Sequence, residues 1–531
     1  MTEQVFSSHG SPKLSRRWAL VYAIASTLVF LRLVKLGYGT NFFFDDWQFI
    51  VERSTFNSAS FFQPHNGHLS AFPVAIYMLV LRIVGLDHHW VFIVIAVLAH
   101  LCLANLVATF VRRRRGEFAG LCSMIVVALM GAGWQNIFWS FQIGFVSSIA
   151  FFLGSLLVLD VDKDELSRVR RIVASCLMMC SLLSSGVGVA ALVATSFICV
   201  TRPERARVWW VPIAPVLMYG VWYLSFGESN ASLGAYAKIP EYGVETTSAA
   251  VGGVFGVGEK IGQLLLGMLL VVLFGRFRQF WSSRVSVATV VFYGTFVVLV
   301  ALSRSSNGEP TASRYLYVAI IAIIVALGAT PTTLAGPSKA LPGVIVVLAV
   351  WGSNSMLETG ARTLRNEGEI MRANLAVVET YGSSLDPALP VDPVHAPQLS
   401  VGGYLMAVAR FESSPAARLS DVPELGFEAR LSADLVIDRA IVPNELSIAG
   451  EDCSVELAGV TNVSASPGTS VLISGFEPTN YAVRRFNLDA SRAVGRSIDF
   501  AIVKFQFPSD ELDLPFQLVF DKPVDVVTCP H

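Results

Sequence analysis

The run WALVYAIASTLVFLRLVKLG, residues 18–37, is preceded by Lys13, Arg16 and Arg17 and followed by the aromatic and acidic loop FFFDDW, residues 42–47. A helix that crosses a bilayer needs about 20 apolar residues, and Lys and Arg gather on the cytoplasmic side. Residues 18–37 therefore read as a first span with the N-terminus inside and Asp45 and Asp46 outside. The rest of the chain repeats the pattern: of 531 residues 53% are apolar and only 15% charged, with a mean hydropathy of +0.57. Soluble domains carry about a quarter of charged residues, so the chain is a polytopic membrane protein. A net charge of -1 provides no field that would gather nucleic acid.

Basic clusters set the remaining topology. Arg112 to Arg115 lie inside if residues 69–86, interrupted by Pro73 and carrying Arg82, run along the outer surface and 90–111 make the second crossing. Spans follow at about 118–131 and 141–159, then an inner loop with Lys163, Arg168, Arg170 and Arg171. The run 172–200 begins and ends beside inner basic clusters, so it crosses twice, as two short helices turning at residues 184–188. Further spans are expected at 208–226, at a Gly-rich 251–274 preceded by an outer loop with Lys238 and Tyr242, and at 285–303, 315–330 and 341–357. These make about eleven spans. The odd number places the tail outside.

The tail differs in composition. A helix at 358–380 and a Pro-rich linker (Pro387, Pro390, Pro393, Pro397) lead into short Val-, Ile- and Phe-rich runs, 435–437, 470–473 and 499–505, that read as strands of a β-sandwich. Cys453 and Cys529 are the only cysteines in this polar region, which suggests a disulfide in an oxidising compartment. Cys102, Cys122, Cys176, Cys180 and Cys199 lie in apolar runs and read as packing residues. The expected domains are a cytoplasmic 1–17, a membrane body 18–357 with an outer loop 38–89, a helix and linker 358–397, and an extracytoplasmic domain 398–531.

Several polar residues fall on the outer side by this bookkeeping. Two carboxylates among aromatics at a membrane surface carry raised desolvation cost and point to chemistry. Asp45 also suits a helix cap, which leaves Asp46 as first choice for a base. His65, Asn66 and His68 offer groups that bind phosphate, hydrogen-bond a sugar or ligate a metal; capping the loop is the plainer alternative, and any divalent cation is left open. Arg304, Arg314 and Tyr315 flank a short outer loop against the positive-inside bias and suit a phosphate, or anchor to headgroups. Arg32 and Lys35 share those two readings. Trp134, Gln135, Asn136 and Gln142 mix rings with amides as carbohydrate-binding surfaces do, and an aromatic belt accounts for the Trp alone. His88 and His89 read as interfacial anchors.

The order of these features resembles the membrane glycosyltransferases of the C fold: an inner basic N-terminus, one span, an outer loop opening on Asp45-Asp46, a surface helix ending in Val84-Gly85-Leu86, and a second span closing on Arg112 to Arg115. The motifs are short and cover about the first 115 residues. The resemblance implies inverting transfer from a polyprenyl-phosphate sugar to an envelope glycan or lipid, at the outer face of the inner (plasma) membrane of a bacterium. It also implies a first-loop acid, here Asp45 or Asp46, as general base. Two other readings remain: a transporter or flippase of lipid-linked glycans, and a non-catalytic envelope-glycan assembly protein.

Overall fold

The run at 172–200 folds as two helices, Arg168–Ser184 and Val187–Thr201, separated only by Ser185 and Gly186. In a computed structural model of the protein, residues 14–53, 55–159, 166–202, 205–228, 233–304, 309–330, 340–446, 453–475, 477–487, 496–498 and 502–528 are described. They form two compact units that do not follow chain order. One comprises Met1–Tyr38, Arg53–Val80 and Trp90–Thr363, the other Gly39–Glu52, Leu81–His89 and Leu364–His531.

The first unit is helical. Arg16–Gly37, Trp90–Arg115, Ser140–Leu159, Arg284–Arg304 and the first part of Leu341–Ser384 are long and apolar enough to cross a membrane, and two bent pairs bring the number of such spans to as many as seven. Val187–Thr201, Ile213–Phe226 and Ser313–Ala329 are apolar but shorter. With so little charge to pair, these helices meet through small residues and hydroxyls. Ser148 on Ile143–Leu159 and Ser181 on Arg168–Ser184 are buried, and each hydroxyl donates to the other residue's carbonyl, at 3.0 and 2.9 Å. Arg32 donates to Asn354 and lies 3.8 Å from Glu358, so it is tied within the helices rather than left to snorkel.

Four expectations are corrected. The helix Ala71–Val84 is unbroken, because Pro73 sits in its first turn, where the missing N–H costs nothing. The Gly-rich span expected at 251–274 is two helices, Ile239–Val254 and Glu259–Gly275, bent by 96°. Gly256 between them is left-handed (φ +65°), and a Cβ there would lie 1.8 Å from the Gly352 carbonyl, so the chain turns where another backbone passes. Lys238 and Tyr242 thereby fall in helical turns and not in a loop. The span at 341–357 and the helix at 358–380 are one 41-residue helix, Leu341–Tyr381.

In the second unit a hairpin, β1 (Pro390–Asp392) and β2 (Ala396–Ser400), replaces the Pro-rich linker. Helices Val401–Phe411 and Phe427–Ala440 follow. Residues 435–437, expected as a strand, lie inside the second of them. The remaining strands are β3 (Asn444–Leu446), β4 (Ser454–Ala465), β5 (Ser470–Ser474), β6 (Thr479–Arg484), β7 (Arg496–Ile498), β8 (Ile502–Gln506) and β9 (Phe516–Thr528). They form one antiparallel sheet in the order β3-β8-β5-β9-β6-β7, with β4 also on β9. Where the sequence suggests two facing sheets, the described residues give one sheet with Phe427–Ala440 bonded to β6 and the chain after it: Asp438 accepts from Val483 N–H, and Asp434 from the N–H groups of Arg485, Phe486 and Asn487. Cys453 is disulfide-bonded, and the strand pairing sets Ser454 opposite Thr528. The expected partner, Cys529, lies outside the described residues. The other five cysteines are free.

Candidate functional site

The acidic pair belongs to the second unit. Helix Asp45–Glu52 opens on both carboxylates, and both are buried, Asp46 completely. Phe44 just before it takes φ +49°, a backbone region that a bulky residue rarely adopts. This sharp entry is fixed by Asp46, whose Oδ2 accepts from Phe43 N–H at 2.8 Å. Asp46 thus makes one of the bonds at the helix start. Phe42 packs edge-on against Trp47 at 5.5 Å and against His89 at 4.8 Å, and Trp47 against Tyr404 at 5.9 Å. His89, expected as an interfacial anchor, is buried, with Nδ1 2.9 Å from the Thr40 carbonyl. Asn41 donates to the Pro415 carbonyl and Leu86 N–H to Ser413 Oγ. The start of the first loop is therefore held by tail residues.

The histidines belong to the first unit. His65 and His68 exchange both backbone hydrogen bonds at 2.9 Å across Asn66-Gly67, whose φ values are +51° and +78°. Two positive φ values identify a type I′ turn, for which Asn-Gly is the preferred dipeptide. Directly opposed residues of such a pair project to one face. The His65 ring is buried 5.0 Å from Phe141 and accepts from Asn66 Nδ2 at 3.0 Å. The His68 ring lies on the turn at Gly186, where a Cβ would meet Nδ1 at 2.5 Å. Only glycine leaves room there.

Arg53, which the sequence reading passed over, fastens this loop. It is buried and donates to the carbonyls of Gln63 at 2.6 Å and Pro64 at 2.8 Å. Burial, then the charge of Arg53, the neighbouring His68 and Arg304, pushes His65 down to about 3. Burial and then Arg304 push His68 down to about 4. Both imidazoles are thus neutral at physiological pH, and the positive charge of the cluster resides on arginine.

Arg304 ends the helix Arg284–Arg304 and acts electrostatically on both histidines and on Tyr242, which also feels Arg314. Arg314 lies over the ring of Tyr315 at 4.9 Å and donates to Gln135 Oε1 at 3.5 Å. Gln135 N–H in turn donates to Ser313 Oγ at 3.1 Å. A cavity of about 460 Å³ opens here, with Trp134, Gln135 and Arg314 in its wall. The structure therefore brings together His65, Asn66 and His68 with Arg304, and Trp134 and Gln135 with Arg314 and Tyr315. Asn136 and Gln142 do not line the cavity: both are buried, and neither Asn136 amide atom nor Gln142 Oε1 has a partner among the described residues. Nor do the described residues hold a group of three or more His, Cys, Asp or Glu side chains able to bind a metal ion.

No protein-family model matches the chain, and no curated protein matches it. Among solved structures the chain is similar to the crystal structure of ArnT from Cupriavidus metallidurans in the apo state, at 11% identity over 70% of this chain and 81% of that one, with a TM-score of 0.45. It is also similar to ArnT from Cupriavidus metallidurans bound to undecaprenyl phosphate, at 13% identity over 71% of this chain and 82% of that one, with a TM-score of 0.43.

Proposed function

We propose that the protein is a glycosyltransferase of the C fold that moves a sugar from a polyprenyl-phosphate donor to an envelope glycan or lipid at the outer face of the plasma membrane. The observation that carries this reading is the arginine-centred cluster, in which Arg304 acts on the neutral His65–His68 turn and on Tyr242. The donor's leaving group is a phosphate, which such a cluster suits. Guanidinium supplies charge and paired donors, and a neutral imidazole supplies an N–H. In the reaction the acceptor oxygen attacks the anomeric carbon from the face opposite the phosphate. A new C–O bond forms, the C–O bond to phosphate breaks, and its electron pair leaves with the polyprenyl phosphate. Resemblance to that family assigns the hydroxyl proton to a carboxylate of the Asp45-Asp46 pair, and the chemistry of its own cluster assigns the departing charge to Arg304. The product has inverted anomeric configuration.

The test is incubation of membranes holding the full-length protein with a panel of polyprenyl-phosphate sugars, with and without chelator. Turnover of one donor to an inverted product supports the reading. Translocation of donor without cleavage would instead establish a flippase.

The seat of His68 gives a second check. Gly186→Ala drives a methyl group into the imidazole, and misplacing a positioning group costs about 10–100-fold in rate. The same loss is expected for His68→Ala, with no further loss in the double variant, because the two changes act through one ring. Additive losses would separate Gly186 from His68.

A further inference from the structure

The cavity of about 460 Å³ beside Gln135 carries two opposite charges in its wall, Glu309 and Arg314, and apolar residues that include Leu316 and Met356. The Glu309 carboxylate has no side-chain partner among the described residues, and Arg314 has one long bond, to Gln135. Trp134 is fixed in the same wall, its ring lying directly against Gly360. Glu309 comes shortly before Ser313, the first residue of the apolar helix Ser313–Ala329, and helix ends of this kind lie at headgroup depth.

The choice of ligand follows from the two charges. A purely anionic ligand drawn to Arg314 is repelled by Glu309, and a neutral sugar leaves both charges without a counterpart. A ligand with one positive and one negative group satisfies both. We propose that this cavity binds a phosphate ester carrying a primary ammonium, of the phosphoethanolamine type, with the phosphate on the Arg314 guanidinium and the ammonium on the Glu309 carboxylate. Leu316 and Met356 then meet the apolar part of the ligand next to the phosphate. The site goes beyond the donor chemistry assigned to Arg304, and its occupancy can be read without any transfer.

Such a headgroup has two sources, a membrane phospholipid or a soluble ester, and one experiment separates them. The full-length protein is purified into a mild detergent with an equimolar mixture of phosphatidylethanolamine and phosphatidylglycerol, and retained lipid is counted by native mass spectrometry. The expected result is a preference for phosphatidylethanolamine of about tenfold. Arg314→Gln should lose both lipids. Glu309→Gln should remove the repulsion of the anionic lipid and bring retention of the two to parity, an outcome that a merely structural role for Glu309 does not produce. Added O-phosphoethanolamine that displaces the lipid at millimolar concentration assigns the site to the soluble ester, and failure to displace it assigns the site to the phospholipid. Equal retention of both lipids by the unaltered protein, or an unchanged preference in Glu309→Gln, overturns the proposal.

Discussion

Asp46→Asn is expected to lower transfer by about 10²–10⁴-fold, the usual contribution of a positioned general base. The amide oxygen can still accept from Phe43 N–H, as Asp46 Oδ2 does now at 2.8 Å, so the turn at Phe44 and the helix Asp45–Glu52 are expected to survive. Abundance, thermal unfolding and donor binding should stay near those of the unaltered protein, because the donor phosphate is assigned to Arg304. This combination separates lost chemistry from lost structure. Asp45→Asn is the companion variant: a comparable collapse in it alone would move the base to Asp45. If both variants keep near-normal transfer, neither carboxylate is the base. A flippase would be indifferent to the change at constant fold, so the same pair of variants also weighs that alternative.

Asp510→Ala is expected to destabilise the tail by about 3–5 kcal/mol, the cost of leaving a buried charge without its partner. The charge is Arg485, whose side chain is 0% exposed and whose guanidinium reaches both carboxylate oxygens of Asp510, at 2.6 and 2.9 Å, with the Leu512 and Leu514 carbonyls at 2.9 and 3.0 Å. The guanidinium also lies over the Phe516 ring at 4.3 Å. Hydrogen bonds from Arg485 and Tyr381 outweigh burial and hold the Asp510 carboxyl below its ordinary value. A carboxyl lowered in the folded state contributes stability that is present above its unfolded value, near 4, and is lost as pH falls through the folded one. Chemical unfolding followed at the tail should therefore show the variant's deficit in full at neutral pH and shrinking below about pH 4. A deficit under 1 kcal/mol, or one that does not change with pH, would show that Arg485 is satisfied without Asp510.

Much of the helical body was legible because a bilayer makes composition decisive. Residues 18–37, 90–111 and 285–303 had to be helices of about membrane length, and the described helices Arg16–Gly37, Trp90–Arg115 and Arg284–Arg304 agree. The division of 172–200 into two helices was expected from the basic clusters at its two ends and the Ser-Gly turn between them, and Arg168–Ser184 and Val187–Thr201 show it. The bend after Val254 was not legible, because it depends on the Gly352 backbone almost a hundred residues away. The helix over residues 435–437 was misread because a short apolar run fits a half-buried strand and a half-buried helix equally well. In the candidate site, Asn66-Gly67 between two histidines was a readable turn signal, whereas nothing local marked Gly186 as the seat of His68 or Arg53 as the fastening of the loop.

The sequence by itself determined the membrane class, the positions of most helices, the separate β-rich tail and the short list of polar residues able to do chemistry. Each of these follows from composition and from charge placed along one dimension. Tertiary structure alone decided which of those residues share a neighbourhood: that Asp46 ties the turn at Phe44, that Asp45–Glu52 packs with the tail, and that Arg304 serves both histidines and Tyr242. Those pairings join residues tens to hundreds of positions apart, and no local preference of the chain encodes such distances.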